Sequence, residues 1–412
     1  MRRDALLALG LLAAGWALTL WVAPWSDERV NDLFVYRSFA EPVLDGGLPY
    51  RDVFFEYPPL AAPAIAVPGV AGTGEETFRL AFAGWTLLLG TAVVLLCGAL
   101  AAQTGGDRRR ALLAAALMPV ACGALMRTHF DLAPVTLTLA ALWLVCAGRP
   151  RGGLALLGAG ALVKGFPLVA VPVVIAWLIG RGMRRAAWQG AAACLGVMLV
   201  GAGAALAVSP DGALDALRYH LDRPVQVEST AAMLLHGLDG AGVGEATGVE
   251  SHRSNGLLHP LDGPVAALLG LTLVAVVAVL AASVARPRPG DPALERRRLV
   301  LAVLAAVTAF AVLGKVLSPQ FLIWVLPLGA LAFAWRMHAL ALAVLAAAVL
   351  TQVEFPAHYF DVVAREPLAV ALVALRDALL LAVLGLSIHA LRLERKQQLL
   401  DARRAALAVR LD

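Results

Sequence analysis

Charge is what this sequence has least of. Only 15% of its 412 residues are charged, while 60% are apolar and the mean hydropathy is +0.78. Soluble domains run near 25% charged, so a chain solvated mainly by water is excluded. Lysine is rarer still, at three of the 34 basic residues. The four cysteines, Cys97, Cys122, Cys146 and Cys194, each sit inside an apolar stretch with no disulfide or zinc-binding spacing, which fits inert buried thiols. No Asp-x-Asp pair occurs in a polar loop, so neither a metal nor another cofactor is expected, and no nucleic-acid partner. Repeats of fixed period and low-complexity tracts are missing as well. The apolar run that follows Met1-Arg2-Arg3 imitates a signal peptide but ends in Ala23-Pro24-Trp25 without a small-x-small cleavage site, which makes it a retained helix.

What the chain does have is apolar stretches from end to end, some near the length of about 20 residues that crosses hydrocarbon. The hydropathy pattern predicts an all-α integral membrane protein, one transmembrane domain over 1–412. Its helices are expected near 5–25, 77–102, 111–127, 131–148, 153–164, 167–180, 186–208, 264–285, 299–314, 319–335, 338–353 and 368–391. About twelve spans therefore follow, within limits of ten and thirteen. With the N-terminus in the cytoplasm, the inner segments carry about 22 of the 34 basic residues and about 7 of the 29 acids, as the positive-inside bias requires. Both termini are then cytoplasmic, and 392–412 is a basic tail on the inner face of the plasma membrane, in contact with its lipids. Two outer segments, 26–76 and 209–263, exceed any plain helix connection. They are expected to carry short interfacial helices and the function.

Ionisable groups at the edge of hydrocarbon are costly, so each is a functional candidate. Three outward turns carry them: Arg127-Thr128-His129-Phe130-Asp131, Lys164-Gly165-Phe166-Pro167 and Gly314-Lys315-Val316-Leu317-Ser318-Pro319-Gln320. With the acids of 26–76 they place a run of carboxylates and several distant cations on one side of the membrane. That combination suits proton removal by a carboxylate next to a cation-stabilised phosphate.

Asp32-Leu33-Phe34-Val35-Tyr36, Gly46-Gly47-Leu48-Pro49-Tyr50 and Phe55-Glu56-Tyr57-Pro58-Pro59 resemble the first outer loop of family 87 glycosyltransferases. These are GT-C-type, polyprenyl-phosphate-mannose-dependent mannosyltransferases of actinobacteria. The three charged turns and the run Tyr219-His220-Leu221-Asp222-Arg223 through Ser229 follow in the family's order. The resemblance implies a GT-C bundle, a lipid-linked sugar donor, a lipid or glycan acceptor and inversion at the anomeric carbon. The phosphate leaves as a stable anion without a general acid, so a single carboxylate base would suffice.

By the same resemblance Asp32 is the candidate base, unless it merely caps a helix. Arg127, Lys164 and Lys315 are the candidate phosphate ligands, unless they snorkel to head groups. Further substrate-binding candidates are Tyr36, Glu56, Tyr57, His129, Asp131, Arg218, His220, Arg223 and Gln320. Of these, His129 and Asp131 have a helix cap as their bland alternative, and Arg218, His220 and Arg223 have solvation on an interfacial helix. Asp27-Glu28 is a weaker candidate acidic pair, and His358 and Glu354 are candidates for acceptor hydroxyls. A transporter or flippase of lipid-linked saccharides is the main rival and predicts charges near the midplane on two routes of access. A non-catalytic scaffold is the second.

Overall fold

The computed structural model describes residues 2–286 and 291–408, with side chains as far as residue 393. Helices dominate it, and five are long and apolar enough to cross a membrane: Arg2–Trp21, Glu75–Gln103, Arg184–Val208, Asp262–Ala285 and Pro367–Leu393. The remaining expected spans appear as shorter apolar helices, among them Leu132–Cys146, Pro150–Val163, Phe166–Gly180, Pro319–Ala334 and His338–Glu354, or as the charged-ended Pro292–Leu313. Twelve full spans are therefore not what the helix lengths display. Of the expected linker and tail, 287–290 and 409–412 lie outside the described residues.

One expected helix is broken, and the break matters. The stretch 111–127 divides into Arg108–Ala116, Met118–Cys122 and Leu125–Thr128. Pro119 removes a backbone donor in the second piece, and Gly123 then turns into the left-handed region at φ +56, packed against the Gln352 amide, where a Cβ would be strained and crowded. The chain so released ends in Arg127, Thr128 and His129 at a buried position, which an unbroken helix would not deliver.

The first long segment folds as the helix Leu33–Leu44, an irregular stretch over 55–59 and the helix Ala61–Ala66. Its Tyr36, Phe39 and Phe55 form an aromatic core with Phe82 of the helix Glu75–Gln103 and with Phe130, with ring pairs at 5.1–5.5 Å. Aromatic pairs in stacked or edge-to-face geometry at such distances are favourable beyond their burial. The second long segment holds the expected short helices, Pro210–Asp222 and Thr230–Gly240, and also three strands that helical periodicity did not reveal. These are β1 (Val225–Gln226), β2 (Thr247–Ser251) and β3 (Ser254–Leu258), antiparallel in the order β1-β3-β2. His252 and Arg253 make the two-residue β2–β3 turn with φ of 53° and 49°, the conformation that matches strand twist but is costly without glycine. Gly212 lets the Pro210–Asp222 helix press against the Tyr50 carbonyl, where no Cβ would fit. The two long segments are thereby packed onto each other.

Candidate active site

Between these segments and the helix ends lies a cavity of about 790 Å³. Asp32, Glu56, Glu228 and Glu250 line it with Lys164, Arg223, Arg253 and Lys315, together with His129, His220 and His252. Phe34, Phe310, Phe321, Trp324, Phe355 and Phe360 supply its apolar wall. Carboxylates and cations from six separate stretches of chain thus share one hollow.

Asp32 occupies the residue before the helix Leu33–Leu44, yet its side chain makes no capping hydrogen bond. Asn31 does that work instead, its Oδ1 accepting from the Leu33 N–H at 2.9 Å, which leaves the Asp32 carboxylate to the cavity. Two groups aim it. The Tyr36 hydroxyl donates to Oδ2 at 3.1 Å, and His129 Nε2 lies 3.4 Å from the same oxygen. Tyr36 is fully buried and lies outside the cavity lining; burial and the Asp32 charge hold its pKa well above 10, so it stays a donor. The Thr128 hydroxyl donates to the Ala124 carbonyl and sits 3.0 Å from His129 Nδ1. His129 is thereby held between Thr128 at Nδ1 and Asp32 at Nε2. Burial lowers the His129 pKa, so the imidazole is neutral at pH 7.

Lys164 reaches the cavity from the end of Pro150–Val163, with its ammonium 2.7 Å from Asp131 Oδ1 and 4.9 Å from the Phe130 ring centre. Asp131 also accepts from Trp324 Nε1 at 2.6 Å and is fully buried. It neither caps the following helix nor lines the cavity; its role is to hold Lys164. Lys315 donates to the carbonyls of Leu221 and Arg223 at 2.7 and 2.8 Å, which leaves one of its three N–H groups. Burial, then Arg223, lowers its pKa. Arg223 lines the same wall, and its buried Nε meets no hydrogen-bond partner.

Glu56 faces Arg253 at 3.7 Å, and burial raises its pKa. His220 lies 2.8 Å from the Glu56 carbonyl, with a pKa lowered by burial. Tyr57 stands edge-on to Phe130 at 5.1 Å, and Gln320 lines the cavity beside Ser318.

Besides Tyr36 and Asp131, several expected site residues lie outside the cavity lining. Arg127 does not line the cavity: its guanidinium is consumed by Glu28 and by the carbonyls of Thr19 and Ser26, because a cation buried at a turn needs local partners. Glu28 is spent in the same contact and Asp27 on Arg29, so the acidic pair braces the chain after the first helix. Arg218 is exposed and paired with Asp215 at 2.9 Å, on the face of its helix away from the cavity. His358 pairs with Asp361 at the surface, and Glu354 is buried against Arg376.

Sequence reasoning missed Gln226, Glu228, Glu250, His252, Arg253, Asn255 and Tyr359. Glu228 stands inside a run already singled out, Tyr219 to Ser229, and Arg376-Asp377 interrupts an otherwise apolar helix. Both were signals. Asn255 and Tyr359 meet only in three dimensions, 104 residues apart.

The fold is that of a helical membrane protein, and its cavity sets charged groups of both signs beside apolar walls. Residues 54–319 match the model of glycosyltransferase family 87, and the chain belongs to that family: it is a glycosyltransferase. The matched span contains Glu56, Lys164, Arg223 and Lys315 and begins after Asp32. No curated protein matches the chain.

Proposed function

We propose that the protein transfers a sugar, mannose by the resemblance of its motifs, from a polyprenyl phosphate to a hydroxyl of a lipid or glycan acceptor. Inversion accompanies the transfer, on the extracytoplasmic face of the plasma membrane. The observation that supports it is the meeting, in one cavity, of Asp32 with Lys164, Arg223 and Lys315. Asp32 takes the proton of the acceptor hydroxyl as its oxygen attacks the anomeric carbon. The bond from that carbon to the phosphate oxygen breaks on the opposite face, and the polyprenyl phosphate departs with the electron pair. Lys315, Arg223 and Lys164 offset the charge that grows on the phosphate, most strongly where water is excluded. Tyr36 and His129 keep Asp32 in one orientation, since misplacement of a reacting group costs rate steeply. Basic residues concentrated in the short connections around 103–110, 181–185 and 286–298 support cytoplasmic termini. In this reading the shorter apolar helices lie in the membrane with the five long ones.

A flippase would need ionisable groups along two routes, and the cavity-lining ones named here share a single hollow. The test uses purified protein, radiolabelled polyprenyl-phosphate-mannose and a membrane lipid extract. Wild type transfers label and Asp32→Asn loses about 10²–10⁴-fold in rate. Equal transfer by both removes Asp32 as the base; no transfer by wild type with any carrier sugar favours transport.

A further inference from the structure

The wall of the cavity made by β1, β3 and the turn after Phe355 holds polar groups that the transfer step does not use. Gln226 Nε2 donates to Glu228 Oε2 at 2.7 Å, while Gln226 Oε1 has no partner although the residue is only 3% exposed. Asn255 Nδ2 donates to the Tyr359 hydroxyl at 2.9 Å, and all four residues line the cavity. A buried amide oxygen left unpaired is costly, and its retention points to a missing donor.

Behind this wall Arg376 is fully buried. It stands 3.7 Å from Glu228, 3.8 Å from Glu354 and 2.9 Å from Asp377, and donates to the Glu228 carbonyl. The backbone N–H of Gln226 donates to the Lys315 carbonyl at 3.0 Å, which ties the wall to the cationic turn. The wall is thus fixed before any ligand arrives.

Its chemistry selects among ligands. A phosphate wants only donors and no adjacent carboxylate; an ammonium wants only acceptors. Here acceptors (Gln226 Oε1, Glu228) and donors (Tyr359 hydroxyl, Asn255 amide) line the same cavity, and so do Phe355 and Phe360. Groups that both donate and accept are hydroxyls, and aromatic rings suit the apolar C–H face of a ring polyol. We infer that Gln226, Asn255 and Tyr359, backed by Glu228, form a subsite for the saccharide or cyclitol head group of the acceptor. The acceptor is then a hydroxyl-rich ring and not a simple aliphatic alcohol. This rests on the transfer reading above.

Two measurements separate the subsite from that reading. Direct titration of the purified protein with methyl α-mannoside and with myo-inositol needs no donor. Wild type binds at least one of them, and Tyr359→Phe and Gln226→Leu weaken its Kd about 10-fold, while the thermal midpoint of Tyr359→Phe stays at that of wild type. Absence of binding by wild type, or Kd values that the variants leave unchanged, overturns the subsite. Transfer from radiolabelled polyprenyl-phosphate-mannose is then compared for octyl α-mannoside and 1-octanol. Label goes to the mannoside alone, and Tyr359→Phe raises its KM with the donor KM unchanged. Equal use of octanol overturns the subsite and leaves transfer standing; binding of the polyols with no transfer to any acceptor leaves the subsite and removes transfer.

Discussion

His129 Nε2 lies 3.4 Å from Asp32 Oδ2, and Thr128 Oγ1 lies 3.0 Å from the other ring nitrogen. A ring contacted at both nitrogens keeps one orientation, and its Nε2 in turn positions the carboxylate that faces the cavity.

The acid side of the pH profile follows from this. Burial lowers the His129 pKa below its ordinary value of about 6.5, so the ring is neutral at pH 7 and charges only on acidification past that lowered value. Once charged it donates to Asp32 and weakens it as a base. Transfer is expected to decline on the acid side of that lowered value, and His129→Gln, which cannot titrate, to lack that part of the decline. Superimposable acid limbs in kcat/KM profiles of the two proteins would count against the coupling.

Lys315 and Arg223 form one cationic wall, and their loss is expected to act on the donor. Lys315→Met and Arg223→Gln should each lower kcat/KM for the lipid-linked donor about 10²-fold, in proportion to lost stabilisation of the departing phosphate. A KM for the acceptor that rises while the donor parameters hold would assign these cations to the other substrate.

Arg127 is expected to behave differently, although it too is a cation at an outward turn. Its guanidinium joins Glu28 to the carbonyls of Thr19 and Ser26, and its removal leaves that partly buried carboxylate with the more distant Arg79, at 3.7 Å, as its cation. Arg127→Met should cost about 3 kcal/mol of stability, seen as a lowered thermal midpoint, with the donor KM of the surviving folded protein unchanged. A selective loss of donor affinity at normal stability would return Arg127 to the phosphate.

Asp131→Asn tests the brace behind Lys164. The amide keeps the size of the side chain and can still accept from Trp324, but it leaves the Lys164 ammonium without its counter-charge. A drop of about 2 kcal/mol in stability and a tighter donor KM are expected together, because the freed ammonium attracts phosphate more strongly. Unchanged stability would mean that the ion pair contributes nothing net.

Much of this arrangement was legible in the residues alone. Lys164 and Lys315 stood out because a turn next to hydrocarbon rarely bears charge without cause, and both line the cavity. Asp32 was legible through its motif, and the competing role of helix cap fell away because Asn31 performs it. Arg127 looked the same in sequence and proved to face a neighbour 99 residues earlier; a turn cation carries no local mark of whether a substrate or a carboxylate awaits it. The hairpin β2–β3 escaped because its turn is His252-Arg253 and not Asn-Gly, so the usual short-range signal was missing. Arg376-Asp377 was overlooked as an interruption within an apolar helix, where its charge should have been weighed.

The bond from Arg376 to Glu228 spans 148 residues of chain. A ribosome that has synthesised the whole wall around β1 has still not made the cation that neutralises it. Glu228 and Glu354 therefore share their buried cation only once the helix from Pro367 has packed against them.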